Sequence, residues 1–374
     1  MRAGSQIPLF YPVRSPAIED AALHSIRSGQ VASGSSVEQL ERLLSEQVQR
    51  NYVIGTSDMT SALVLALRGL GVSQGQTVAT LAFSCLSTNA AISMVGAVPR
   101  WLDLDPTTVS MCPDYLNNAL KGDEAAVILY HVAGYPAQTA DIERVCRERG
   151  VPLIEDCNNA LGAQYFEKPV GQYGRFSVYS FYPNRQINGF EGGGIACDDD
   201  VSAERLRRLH RFGIHQASFR ADDGEINPTS TIEEIGISAS LSELHAAVAC
   251  TQFDGLDSRL RTTRENVGYM TERLAGTRGV RVVGSVRGGV PAYWVLLLMA
   301  DNRDQLLSGL KASGVACSKL HQRNDVYAGF KAEPVSLPGT SLISTGLIAV
   351  PCGWWLEREH LDQIVDHVRR HAGG

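Results

Sequence analysis

The chain has 374 residues, 44% of them hydrophobic, and a formal net charge of −6. A chain of this length and apolar content buries a large core with room for a second, smaller lobe, which excludes a linker or an unstructured tail. The acidic balance offers no positive field for a phosphodiester backbone, so nucleic acid is not an expected partner and small molecules are.

The opening MRAGSQIPLFYPVRSP lacks the unbroken apolar run of a signal peptide, and no later stretch approaches the roughly 20 apolar residues of a membrane span. The expected location is the cytoplasm, with no membrane partner. The eight cysteines (85, 112, 146, 157, 197, 250, 317 and 352) never form C-x-x-C, so reduced thiols are expected and a disulfide scaffold is not. No His/Asp/Glu cluster has metal-ligand spacing, and no metal is expected.

From about residue 16 to 70 the text reads as helices: AIEDAALHSIRSG, SSVEQLERLLSEQVQR and TSALVLALRGLG, the first and last closing on glycine. Short apolar strands then alternate with helices. The strands are TVATL (77–81), VPRWLDL (98–104), AAVILYHV (125–132), VPLIED (151–156), FSVYSF (176–181) and GGIACD (193–198). STNAAISMVG and TADIERVCRERG read as helices between them. Fully apolar strands spaced by helices predict a mostly parallel sheet covered on both faces. Residues 243–275 read as one long connecting helix, followed by AYWVLLLMA, RDQLLSGLKASG and EREHLDQIVDHVRRHA, a smaller α+β unit. The expected division is a large domain over 1–250 and a small one over 251–374.

Several segments in order, among them TSALVLALRGLGV, SCLSTNAAI, VPRWLDLDPTT, HVAGYPAQTADI, LIEDCNNALGAQY, SFYPNRQINGFEGGGIA, GISASLSELHAAV, LHQRND and VPCGWW, resemble the DegT/DnrJ/StrS family of sugar aminotransferases. The resemblance runs nearly end to end. It implies the three-layer αβα aminotransferase fold type I, pyridoxal 5′-phosphate (PLP) chemistry in a sugar or antibiotic pathway, a small-molecule sugar or nucleotide-sugar substrate, and a homodimer with sites at the subunit interface.

PLP chemistry needs an acid beside the pyridine nitrogen, because the protonated ring is the electron sink. The resemblance gives that role to Asp156, at the C-terminal end of an expected strand, where α/β folds place their sites; a plain helix cap is the alternative. Asn159 matches a position beside the ring hydroxyl. The cofactor phosphate would sit at a helix N-terminus, where free N–H groups and the helix dipole favour an anion. That stretch here is Ser57-Asp58-Met59-Thr60. Thr60 keeps a hydroxyl, Met59 replaces the usual glycine and is expected to obstruct close backbone approach, and Asp58 adds an unfavourable negative charge. Ser180 matches another phosphate ligand, and Ser238 and Ser240 stand where a partner subunit supplies stronger polar groups.

The family's lysine lies five residues after its serine, which from Ser180 gives Arg185. No lysine lies between Lys168 and Lys311 to replace it. A guanidinium stays protonated and delocalised, so it forms no Schiff base with an aldehyde and is a poor proton-transfer base. Covalently bound cofactor is therefore not expected, while non-covalent PLP or its aminated form, PMP, stays open. Arg185, Asp156, Tyr182 and His321 are the candidate catalytic residues. Asp156 is expected to need a cation in place of the pyridinium, with Arg185 nearest by motif. His321, Arg323, Asn324 and Asp325 either face substrate or form a local turn network; His131 stands at a strand end as a pocket group or a satisfied core group. Cys85, Trp354 and Trp355 read as packing.

Three functions follow. One is PLP-independent acid–base or electrostatic chemistry on a polar sugar-like intermediate. The others are a catalytically silent homologue serving as partner or scaffold, and a PLP- or PMP-dependent aminotransferase whose lysine has been exchanged.

Overall fold

Strands of four to seven mostly apolar residues build the centre of the molecule. The computed structural model describes residues 6–372; the first five residues of the segment weighed above as a leader, and Gly373 and Gly374 of the 251–374 unit, lie outside. A seven-stranded sheet comprises β1 (Tyr52–Thr56), β2 (Thr77–Leu81), β3 (Val98–Leu102), β4 (Glu124–Tyr130), β5 (Leu153–Asp156), β6 (Phe176–Ser180) and β7 (Gly193–Cys197), in the order β1-β7-β6-β5-β4-β2-β3. The pairs β2–β3, β2–β4, β4–β5 and β5–β6 are parallel, while β7 runs antiparallel to both β6 and β1.

Both faces are covered, which makes three layers. On one face Ile54, Val78, Ile128, Ile154 and Ile195 meet Leu63 and Leu67 of the helix Met59–Gly69 (α3). On the other, Leu81, Val127 and Leu129 meet Leu116, Ile142 and Val145, while Val53, Tyr179 and Ala196 meet Leu40 and Leu44. The strand Phe176–Ser180 is buried throughout. Such two-sided burial requires the unbroken apolar runs seen in the sequence. The expected three-layer αβα architecture around a mostly parallel sheet is the one observed.

A second, three-stranded sheet joins Val280–Val282, Leu296–Ala300 and Leu347–Val350, packed by Leu306 and Leu310 and by the helix Arg358–Ala372. Ile7 pairs with Val315, so the N-terminal segment runs along this later part of the chain. Among the described residues no helix is long and apolar enough to cross a membrane.

Two local expectations fail. The stretch 16–70 contains β1, because YVIGT finds its ladder only against the distant β7. The expected helix 243–275 is two helices, Glu243–Cys250 and Leu256–Leu274. Between them Gln252 turns inward, its side chain exchanging hydrogen bonds with the backbone of Asn188, and the second helix starts after Gly255.

Candidate active site

The C-terminal ends of the parallel strands converge on a buried polar cluster. Asp156 closes β5 with no exposed surface. One carboxylate oxygen accepts from the Thr88 hydroxyl at 2.6 Å, the other from the Asn158 amide nitrogen at 3.1 Å and its side chain at 2.9 Å. Burial raises its pKa above the usual carboxylate range, against the lowering by these hydrogen bonds. No ion pair joins Asp156 to Arg185. This corrects the expectation of a substitute cation: three neutral donors satisfy the carboxylate and burial favours its uncharged form.

Alternation along the strands decides which neighbour faces the site. Glu155 points away and accepts from the backbone N–H groups of Gly171 (2.9 Å), Tyr173 (2.7 Å) and Gly174 (2.7 Å), and it pairs with His131 at 3.1 Å. His131 is therefore a satisfied core group. The ligand atoms of His131, Glu155 and Cys157 lie within 4.8 Å of one another, a metal-like grouping that spacing in the sequence did not reveal. Both Glu155 oxygens are already engaged by backbone donors, so the cluster is built as an anchored carboxylate.

Tyr130, the neighbour of His131, faces the site, and nothing in the sequence singled it out. Its hydroxyl accepts from Asn159 Nδ2 at 3.0 Å and from the Ala133 amide at 3.3 Å, and lies 3.0 Å from His321 Nε2. Burial raises the phenol pKa well above its ordinary value, so it is a proton holder. His321 is pushed down to about 3, first by burial and then by the charge of Arg185, and is neutral. With those roles, Tyr130 donates to His321 Nε2. Close backbone approach holds Asn159: a Cβ on Gly134, whose φ is +84°, would stand 2.6 Å from the Asn159 carbonyl oxygen.

Arg185 lies beside this cluster, within electrostatic reach of Tyr130, Cys85, Asp156 and Tyr182. Its Nη1 donates to the Asn184 side chain, and its Cζ sits 5.0 Å from the ring centroid of Trp294. Trp294 is fixed in turn by its indole N–H on the Asn184 carbonyl (2.8 Å) and by stacking on Phe10 at 4.4 Å. Tyr293 and Leu320, the residues before Trp294 and His321, both hold left-handed backbone, at φ +49° and +66°. Such strain persists where surrounding structure over-determines the conformation, and here it aims two site side chains. All five lysines are exposed; Lys168 lies over the Tyr173 ring and Lys319 on Asp304.

The other candidates divide. Tyr182 is 48% exposed on the rim, with its carbonyl accepting from the Arg185 amide. Ser180 Oγ accepts from the Tyr182 amide at 3.3 Å. Arg323 and Asp325 pair with each other, while buried Asn324 bonds Asn89, so of the LHQRND segment it is His321 that reaches Tyr130. Trp355 packs with the small-sheet core, and Trp354 meets it edge-on. Met59 turns into the core beside Ile54 and Ala239, so its side chain packs and does not stand over the helix end as expected. Asp58 is what occupies that end. Its carboxylate takes the Ser61 amide (2.8 Å), the Ser61 hydroxyl (2.7 Å) and the Ser57 hydroxyl (2.9 Å). Burial raises its pKa, but these bonds and the Thr60 amide outweigh it, and the group is held below the usual range as an anion. Ser238 and Ser240 are exposed on either side of buried Ala239.

A doubly covered, mostly parallel sheet with a buried acidic site at its strand ends defines a three-layer α/β protein. The chain belongs to the DegT/DnrJ/EryC1/StrS aminotransferase family, whose model matches residues 14–369. It is similar to the sugar aminotransferase CalS13 from Micromonospora echinospora, at 27% identity over 97% of this chain and 99% of that one, with a TM-score of 0.91. The aminotransferase TlmJ from Streptoalloteichus hindustanus shares 25% identity over 98% of each chain, with a TM-score of 0.90. A pleiotropic regulatory protein from Geobacillus stearothermophilus is 27% identical over 351 residues, 92% of this chain and 91% of its own length.

Proposed function

We propose that this chain is an enzyme of a sugar or natural-product pathway that keeps the aminotransferase fold and works without PLP, by acid–base or electrostatic chemistry on a polar sugar-like intermediate. The observation that carries it is Arg185 against Trp294 beside the Tyr130–His321 pair, with every lysine on the surface. The fit of PLP to these residues supports the same reading. Asp156 suits a pyridine nitrogen, but the helix end that would hold the phosphate already hydrogen-bonds the ionised Asp58, and a second anion there is repelled. Arg185 cannot supply the covalent link. The residues therefore do not fit the cofactor, and no step runs through it.

The chemistry rests on the chain's own groups. Tyr130 keeps its proton and shares it in a hydrogen bond with the neutral His321 Nε2, which orients the pair, and Arg185 offers fixed positive charge to a ligand anion or to charge developing on an oxygen. A homodimer in a reducing cytoplasm, with a large 1–250 and a small 251–374 domain, belongs to this reading. The test is to incubate the purified protein with PLP, pass it over gel filtration and record the visible spectrum. The expected eluate is colourless; a retained stoichiometric band overturns the proposal. A second reading, a silent regulatory homologue, is favoured by the Geobacillus stearothermophilus relative's name. It predicts ligand binding without turnover.

A further inference from the structure

We infer that the small cavity shared by Arg185, Arg259 and Trp355 is a binding site for a halide ion of chloride size. The site adjoins the Tyr130–His321 cluster and goes beyond the chemistry proposed for it.

Three N–H donors on residues lining this one cavity have no partner. They are Arg185 Nε, Arg259 Nε and Trp355 Nε1, each covered from solvent. A buried donor without an acceptor is costly, so folded proteins supply one from protein, water or an ion. Size narrows the choice. The cavity has a volume of about 40 Å³. A water-sized guest needs roughly 10–15 Å³ of such space, so a single-atom ion fits while a sugar ring or a phosphate does not.

Charge separates an ion from water. Burial alone acts on the Arg259 guanidinium, whose Nη2 donates to the carbonyls of Gln186 at 3.1 Å and Gln252 at 2.8 Å. Arg185, next to Gln186 in the chain, donates through Nη1 to the Asn184 side chain. Asp156 reaches Arg185 electrostatically but is held by Thr88 and Asn158. Among the described residues no acidic side chain lines the cavity. Two largely buried cations therefore stand at one small space without a counter-charge, and a single anion offsets both. Gln186 Oε1, an unpartnered acceptor on the same lining, is outnumbered by the donors. A neutral water would serve that oxygen and leave the charge unbalanced.

The donors are positioned before an ion arrives. Trp294 carries the Arg185 guanidinium, and the Trp355 ring lies so close on Gly353 that a Cβ there would stand 1.8 Å from Cζ3. Phe10, Tyr11 and Trp294 make much of the remaining lining aromatic, and low-polarity surroundings strengthen the attraction. Because the charge of Arg185 also acts on Tyr130 and His321, a bound halide reduces the positive field that this pair meets.

Titration of the purified protein with sodium chloride, read as broadening of the chloride NMR line, tests the site. The expected result is saturable broadening that bromide displaces. Arg259→Gln should weaken binding by at least about tenfold. Trp355→Phe removes one N–H and keeps a ring, and should weaken it by several-fold; it decides the matter if Arg259→Gln does not fold. Crystals grown in sodium bromide should show an anomalous peak among the three donors. Broadening that never saturates overturns the inference, as does binding unchanged in either variant. A cavity that holds only water in the bromide crystals also overturns it.

Discussion

The hydroxyl of Tyr130 and Nε2 of His321 stand 3.0 Å apart although 191 positions separate them in the chain. One residue ends a central strand and the other lies in a loop anchored by Asn324, whose side chain reaches Asn89 and the Ser84 carbonyl. That anchoring turns a distant loop into part of the site. The two groups also differ in what holds them. Tyr130 is enclosed by strand and backbone, while His321 depends on the loop staying docked.

Tyr130→Phe tests how much the cluster relies on that hydroxyl. Asn159 Nδ2 and the Ala133 amide both lose an acceptor in a buried setting. The expected loss is about 1–3 kcal/mol of stability, read as a lower urea midpoint at unchanged slope. An unchanged midpoint would mean water replaces the hydroxyl.

Glu155 and Asp156 should impose opposite pH dependences although they are adjacent. For Glu155, burial raises the pKa but the His131 bond and backbone amides lower it below 4.5 overall. Its contribution is present above that value and is lost as pH falls through the folded pKa. Asp156 is raised above 3.8, so its contribution is present below that value and is lost as pH rises through the folded pKa. Unfolding of Glu155→Gln and Asp156→Asn against the parent, from neutral to acid pH, should show the first deficit shrinking on acidification. Asp156→Asn should be nearly neutral to stability at pH 7, since an amide can meet both Asn158 and Thr88. A loss above about 3 kcal/mol would show that the amide does not replace the hydrogen bonds of the carboxyl group.

Asp58 should act as the guard of the helix end. Arg185→Lys restores an amine but leaves that carboxylate on the Thr60 and Ser61 amides. Asp58→Ser retains a capping side chain while removing the charge. The double variant should hold PLP through gel filtration, and Arg185→Lys alone should bind it at least about tenfold more weakly. Equal retention by the two proteins would show that Asp58 plays no such part.

The titration of His321 should report the charge of Arg185. Burial is the larger cause of its low pKa and Arg185 the second, so Arg185→Gln should raise the NMR titration midpoint from about 3 without restoring 6.5. A folded pKa below the unfolded one gives stability present above about 6.5 and lost as pH falls towards 3. The window should narrow in the variant. No movement of the midpoint would place Arg185 too far from His321 for the pocket described above.

Composition, strand spacing and ordered motifs determined the fold class, the family and the positions of Asp156, Arg185 and His321. Those properties are local or sum along the chain, so they survive in one dimension. The sequence led wrongly at the 243–275 helix and missed β1, because a turn held by Asn188 and a ladder against β7 exist only between distant residues. Tertiary structure alone chose Tyr130 over His131, turned Met59 into the core and left Asp58 at the helix end. It also supplied Asp156 with neutral donors where a cation was expected. The direction of a side chain depends on strand alternation and on what packs opposite it, and neither is written in the spacing of residues.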